Sequence, residues 1–199
     1  MAGDTLDRHW RLSMATFHGF RDERPGEEKW ELIDGRPVMM PPPTLMHQRI
    51  AGNLCTLLNN KLALVKPEWA ADREIGVLLA GDDSFNPEPD VTVIETAFEL
   101  GQIYAQRFYF VCEVLSGSDK TWVLDAKLDY YQKHEHCLAV LFVQQDQIAA
   151  DLYLRGTPWT KTVLTDPATR LGITGIGDIG ALSDLYRNTP LSVSTAPGA

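Results

Sequence analysis

Two acids constrain this chain more than any other feature. Asp90 opens the apolar, β-favouring run 90–94 (Asp-Val-Thr-Val-Ile), and Glu113 lies inside the run 108–115 (Phe-Tyr-Phe-Val-Cys-Glu-Val-Leu). A carboxylate within a buried strand is strongly unfavourable unless a cation or hydrogen bonds compensate it. Any fold of this sequence must therefore bring compensation to both acids. Carboxylates on two neighbouring strands point to a divalent-metal site. A metal with carboxylates is a minimal apparatus for cleaving phosphodiesters.

The surrounding elements follow from local signals. Ser13 is placed to cap a helix running to about Asp22, with Met14, Phe17 and Phe20 at helical spacing. Residues 29–33 and 36–40 flank Asp34-Gly35, a type I′ hairpin signal. Three prolines, Pro41, Pro42 and Pro43, stop that hairpin, and Thr44 can cap the next helix. From there to about Leu64, Met46, Ile50, Leu54, Leu57, Leu58 and Leu62 share one stripe. Residues 73–80 read as a strand, 81–84 as a polar loop and 116–120 as another. A helix is expected over 121–134 with Leu124, Leu128 and Tyr131 inward. Three strand-like runs follow at 138–143, 148–154 and 159–164. The alternation is irregular, so the expected class is α/β (α+β) with a mixed β-sheet and helices packed on it. Residues 1–189 are expected as one domain and 190–199 as a flexible tail.

Bulk properties narrow the function classes. The 199 residues carry a formal charge of −9, which argues against a large basic surface for nonspecific nucleic-acid binding. The start of the chain lacks the apolar segment of a signal peptide, and no apolar stretch approaches the roughly 20 residues of a membrane helix. A cytoplasmic protein with no membrane partner is expected. Cys55, Cys112 and Cys137 are widely spaced amid apolar residues and read as buried thiols. Gly175, Gly177 and Gly180 formally match Gly-x-Gly-x-x-Gly, but no strand–helix–strand unit can follow so near the end, which excludes a dinucleotide site.

A strand sends alternate side chains to opposite faces, so Glu113 and Leu115 share one face. In nucleases of the PD-(D/E)XK superfamily that face carries a lysine two residues after the second acid, where this chain has Leu115. The following helix supplies Lys127 instead. Glu31 with Asp34-Gly35, the three prolines followed by His47-Gln48, Pro89-Asp90-Val91, Glu113 to Ser116, and Lys127-Leu128 with Tyr131 stand in one order. That order resembles the Uma2 family (DUF820), endonucleases with the restriction-endonuclease-like fold, over residues 14–186. The resemblance implies a mixed β-sheet flanked by helices, with an N-terminal hairpin. It implies a Mg²⁺- or Mn²⁺-dependent endonuclease acting on DNA, with Glu31, Asp90, Glu113 and Lys127 catalytic. Asp90, Glu113 and the backbone carbonyl of Val114 would hold the metal, and His47 and Gln48 would meet substrate. A homodimer is the oligomer that analogy with the fold suggests. The chain departs from the family pattern at 119–123 and at 142–146, where contacts to nucleic acid would fall.

Blander readings stand beside these. Asp90 alone would be a turn cap and Glu113 a buried salt-bridge partner. Glu31 could pair across the hairpin with Arg36, and Lys127 could be a solvated helix lysine. His134-Glu135-His136 belongs to a helix end. The alternative function is a catalytically inactive binding or regulatory protein on the same fold, and a third is a hydrolase of a small phosphorylated substrate.

Overall fold

A computed structural model of the protein describes residues 11–192. The expected tail falls mostly outside the described residues, which end at Ser192, and so do residues 1–10. Ser192 is tied down, its Oγ donating to the Tyr186 carbonyl at 2.8 Å, and Leu191 lies against the core.

The local signals of the N-terminal third produce their elements. Helix α1 (Met14–Asp22) begins where Ser13 Oγ accepts from Thr16 N. Strands β1 (Lys29–Ile33) and β2 (Arg36–Met40) form the hairpin, with Asp34 and Gly35 at φ of 52° and 72° as a type I′ turn requires. Helix α2 (Leu45–Val65) starts at Thr44, whose Oγ1 accepts from His47 N at 3.1 Å, and buries Ile50, Leu54, Leu58 and Leu62.

The strand expected over 73–80 does not form. Strand β3 (Trp69–Asp72) ends earlier, and Glu74 takes a left-handed φ of 57° that breaks the pleat. The chain resumes as β4 (Gly76–Val77). After β5 (Val91–Glu95), the short β6 (Tyr104–Ala105) pairs with β4 in parallel. Strand β7 (Phe108–Leu115) has the anticipated limits, followed by α3 (Thr121–Lys133), β8 (Ala139–Gln144), β9 (Ala150–Leu154) and β10 (Thr160–Leu164). The buried face of α3 is Val123, Lys127, Tyr130 and Tyr131, while Leu124 and Leu128 are only half-buried. A hairpin that the sequence reading missed, β11 (Arg170–Ile173) with β12 (Gly177–Ala181), absorbs the glycine triplet. Gly175 and Gly177 have φ of 78° and 91°, which makes them turn residues.

Six strands form the central sheet in the order β10-β9-β8-β7-β5-β3. Only β7 and β8 are parallel neighbours there, joined across α3. Helix α2 and the β11/β12 hairpin cover one face, where Phe110, Cys112 and Val114 point. Helix α3 and the β1/β2 hairpin cover the other, where Val111 and Leu115 point. Strand β7 is thus buried on both sides, and Glu113, alternating with Val111 and Leu115, faces α3. Among the described residues no helix is long and apolar enough to cross a membrane.

The hairpin turn supplies a test of this framework. A Cβ added at Gly35 would meet Arg11 Cβ at 2.8 Å, at a φ already unfavourable for other residues. Gly35→Ala should lower stability by about 1–3 kcal/mol, measured by denaturant unfolding. Gly52→Ala, in open space on α2, should be neutral or stabilising by up to about 1 kcal/mol.

Candidate active site

The site begins where the β5–β7 ladder stops. Val91 pairs with Cys112, so the same register would set Pro89 opposite Val114. Proline has no N–H to give a ladder, and the strands part there. The Asp90 side chain fills the gap: its Oδ2 accepts from Val114 N at 2.7 Å, and its Oδ1 lies 2.8 Å from His47 Nε2 on α2. One residue's N–H and C=O leave a strand toward the same side. The Val114 carbonyl therefore faces the same gap, while the Leu115 carbonyl turns away to accept from Gln145 N.

Lys127 enters from the α3 face. Its Nζ is 2.7 Å from Glu31 Oε2 and 3.1 Å from each oxygen of Glu113. Glu31 Oε1 accepts from Glu88 N at 3.1 Å, and Tyr131 donates its hydroxyl to Glu113 Oε1 at 2.5 Å. Glu31 and Lys127 are each 1% exposed and Glu113 6%, so all three charges have left bulk water. The hairpin register sets Glu31 opposite Val38 and Arg36 opposite Ile33, so the two are not directly opposed, and Glu31 meets Lys127 and the Glu88 N–H.

Electrostatics in this cluster is unbalanced. A cavity of about 280 Å³ opens on it, and the acids along its wall are Glu31, Glu74, Glu88, Asp90, Glu113 and Asp119, six against Lys29 and Lys127. Burial pushes the Glu113 carboxyl up to about 7; Lys127 opposes the rise, and Glu31 and Asp90 add to it. Burial alone would lower the Lys127 ammonium, but Glu113 and Glu31 outweigh it and hold the lysine protonated. The two shifts are consistent: one cation satisfies only part of the charge of three carboxylates, and the excess falls on Glu113. Burial also raises Glu88, with Lys29 3.5 Å away as partial relief.

Of the residues singled out in the sequence, Glu31, His47, Asp90, Glu113, Val114 and Lys127 all line this one cavity. Gln48 does not; its side chain accepts from Arg73 beside the cavity helix. Tyr131 stands in the sequence as an inward residue of α3 and as part of the family motif with Lys127, without a site role of its own. It lies one helical turn from Lys127, and that i, i+4 spacing is the signal that joins it to the site.

Among the described residues no three His, Cys, Asp or Glu side chains are arranged to hold a metal by themselves. The donor chemistry nevertheless suits a hard cation, because Asp90, Glu113 and Val114 line one cavity whose acids outnumber its lysines.

The chain is a mixed sheet with helices on both faces and a carboxylate–lysine cluster near the end of β7. The family model described as "Uma2: Putative restriction endonuclease" matches residues 14–172. The chain belongs to the Uma2 family. A crystal structure of a "putative nuclease belonging to DUF820" from Anabaena variabilis superposes with a TM-score of 0.71 at 16% identity, covering 88% of this chain and 97% of that one. At that identity the likeness shows the fold. No curated protein matches.

Two outcomes test the electrostatics. Lys127→Met leaves two buried carboxylates facing one another and should cost about 3–5 kcal/mol in chemical denaturation. The raised Glu113 carboxyl binds its proton more readily folded than unfolded. That contribution is fully present below about 4.5 and is lost as pH rises through about 7. Metal-free protein should therefore lose denaturation midpoint across that window, and Glu113→Gln should flatten most of the slope.

Proposed function

We propose that the protein is a metal-dependent endonuclease that hydrolyses DNA phosphodiester bonds, with Asp90, Glu113 and Lys127 at its centre. The observation that carries this reading is the buried lysine. The ammonium arrives from α3 at 3.1 Å from Glu113, on the face that Leu115 leaves apolar. Asp90 stands across the gap on the Val114 N–H. DNA as substrate rests on the family description alone.

Asp90, Glu113 and the Val114 carbonyl would hold Mg²⁺ or Mn²⁺, ions that accept oxygen-only ligands and keep several waters. When bound, the cation supplies Lewis-acid polarisation of the scissile phosphate and acidifies a water. Lys127 stays protonated, so it serves as a hydrogen-bond donor and counter-charge rather than as a base. Its ammonium can orient the attacking water and offset negative charge growing on the phosphoryl oxygens. Glu31 has one oxygen on the Glu88 N–H and the other on Lys127. It acts by fixing the lysine. Tyr131 fixes Glu113, and His47 fixes Asp90 at the cavity mouth.

The test is cleavage of DNA with Mg²⁺ or Mn²⁺. Asp90→Asn and Glu113→Gln should each lower kcat by at least about 100-fold, within the range usual for removing a group that acts on the transition state. Chelation should abolish activity. Cleavage that persists in excess chelator, or in both variants, would overturn the reading.

A further inference from the structure

The substrate of this site can be narrowed further, on the nuclease reading above. We propose that the cavity takes an unpaired DNA strand, with a nucleobase or sugar laid against an apolar wall, rather than an intact duplex.

Three observations converge. The groups assigned to the chemistry are recessed, Lys127 and Glu31 almost fully and Glu113 nearly so. A scissile phosphate must enter the cavity to reach them; touching its rim is not enough. A duplex is a stiff rod with a persistence length of about 50 nm, whereas a single strand can splay one nucleotide inward.

Part of the lining is apolar. Met40, the consecutive Pro41, Pro42 and Pro43, and Leu124 of α3 all line the cavity. The three prolines are exposed. Proline fixes its own φ, so this surface is already ordered before anything binds. Pyrrolidine rings and a thioether suit the faces of bases and sugars and offer nothing to phosphate.

Charge points the same way. Duplex affinity comes chiefly from lysine and arginine neutralising phosphates. The cavity has six acids against two lysines, and both lysines already face carboxylates, Lys29 near Glu88 and Lys127 on Glu31 and Glu113. Among the described residues no arginine lines it, and the whole chain carries −9. Affinity for a nucleic acid must then come mainly from apolar contact with the faces of bases and sugars, which a single strand exposes and a duplex stacks away.

The experiment compares one oligonucleotide sequence as single strand and as perfect duplex, by cleavage in Mn²⁺ and by fluorescence anisotropy in Ca²⁺. The single strand should be preferred at least about tenfold in both. Its kcat/KM should fall less than about tenfold between roughly 50 and 200 mM salt, a much shallower dependence than that of phosphate-tracking proteins. Met40→Ser and Pro42→Ser should raise KM for the single strand severalfold and lower kcat little. Equal or better use of duplex, or turnover of bis(p-nitrophenyl) phosphate with no preference for either polymer, overturns the proposal. Preferential single-strand binding without any cleavage would sustain it and remove the nuclease reading, and absence of both would remove the two together.

Discussion

One buried ammonium holds this site together. Lys127 ties the N-terminal hairpin to the central sheet through Glu31 and Glu113, in a place largely withdrawn from bulk water. Removing two carboxylates and an ammonium from water is expensive, and their attraction repays it only when every remaining lone pair finds a partner. Here the partners are the Glu88 N–H and the Tyr131 hydroxyl. A two-stranded hairpin has little stability of its own. The ion pair to Glu31 therefore anchors β1 and β2 as well as arranging chemistry, and fold and site share one interaction.

Backbone geometry prepares the second half. Pro89 ends the β5–β7 ladder because it has no N–H, and the freed Val114 amide is taken up by the Asp90 carboxylate. A structural fault in the sheet thus becomes an anion fixed at a strand end. His47 reaches the same carboxylate from the first turn of α2, whose start is set by Thr44. Three separate boundary signals, the prolines at 41–43, the Thr44 cap and Pro89, lie at or beside one cavity.

Much of this was legible in the sequence. The hairpin turn, both long helices and β7 followed from φ-specific turn residues, caps and apolar periodicity, and the acids showed themselves by standing where acids are unfavourable. What was illegible has physical causes. The left-handed Glu74 carries no glycine to announce it, so the run 73–80 was read as one strand when only its two residues Gly76 and Val77 pair, and the strand before it, β3, ends at Asp72. Strands β11 and β12 are rich in glycine, which depresses β-propensity, and only their tertiary pairing reveals them. The inward face of α3 was misjudged because a lysine lies at its centre: periodicity counts Lys127 as polar and rotates the predicted stripe toward Leu124 and Leu128. Gln48 looked like a neighbour of His47 in function, yet consecutive helix positions point about 100° apart, and it meets Arg73 instead.

That same rotation has a consequence for how the chain can vary. With the lysine on a helix rather than on β7, position 115 stays apolar and the sheet centre stays dry, but the azimuth of α3 becomes part of the carboxylate–lysine cluster. A residue inserted between Thr121 and Lys127 would turn the ammonium by about 100° and shift it about 1.5 Å along the axis, away from both carboxylates. A residue inserted in the preceding loop, 116–120, leaves the helix free to dock in its old orientation. Length variation among such chains should therefore collect in that loop and be missing from the first two turns of the helix.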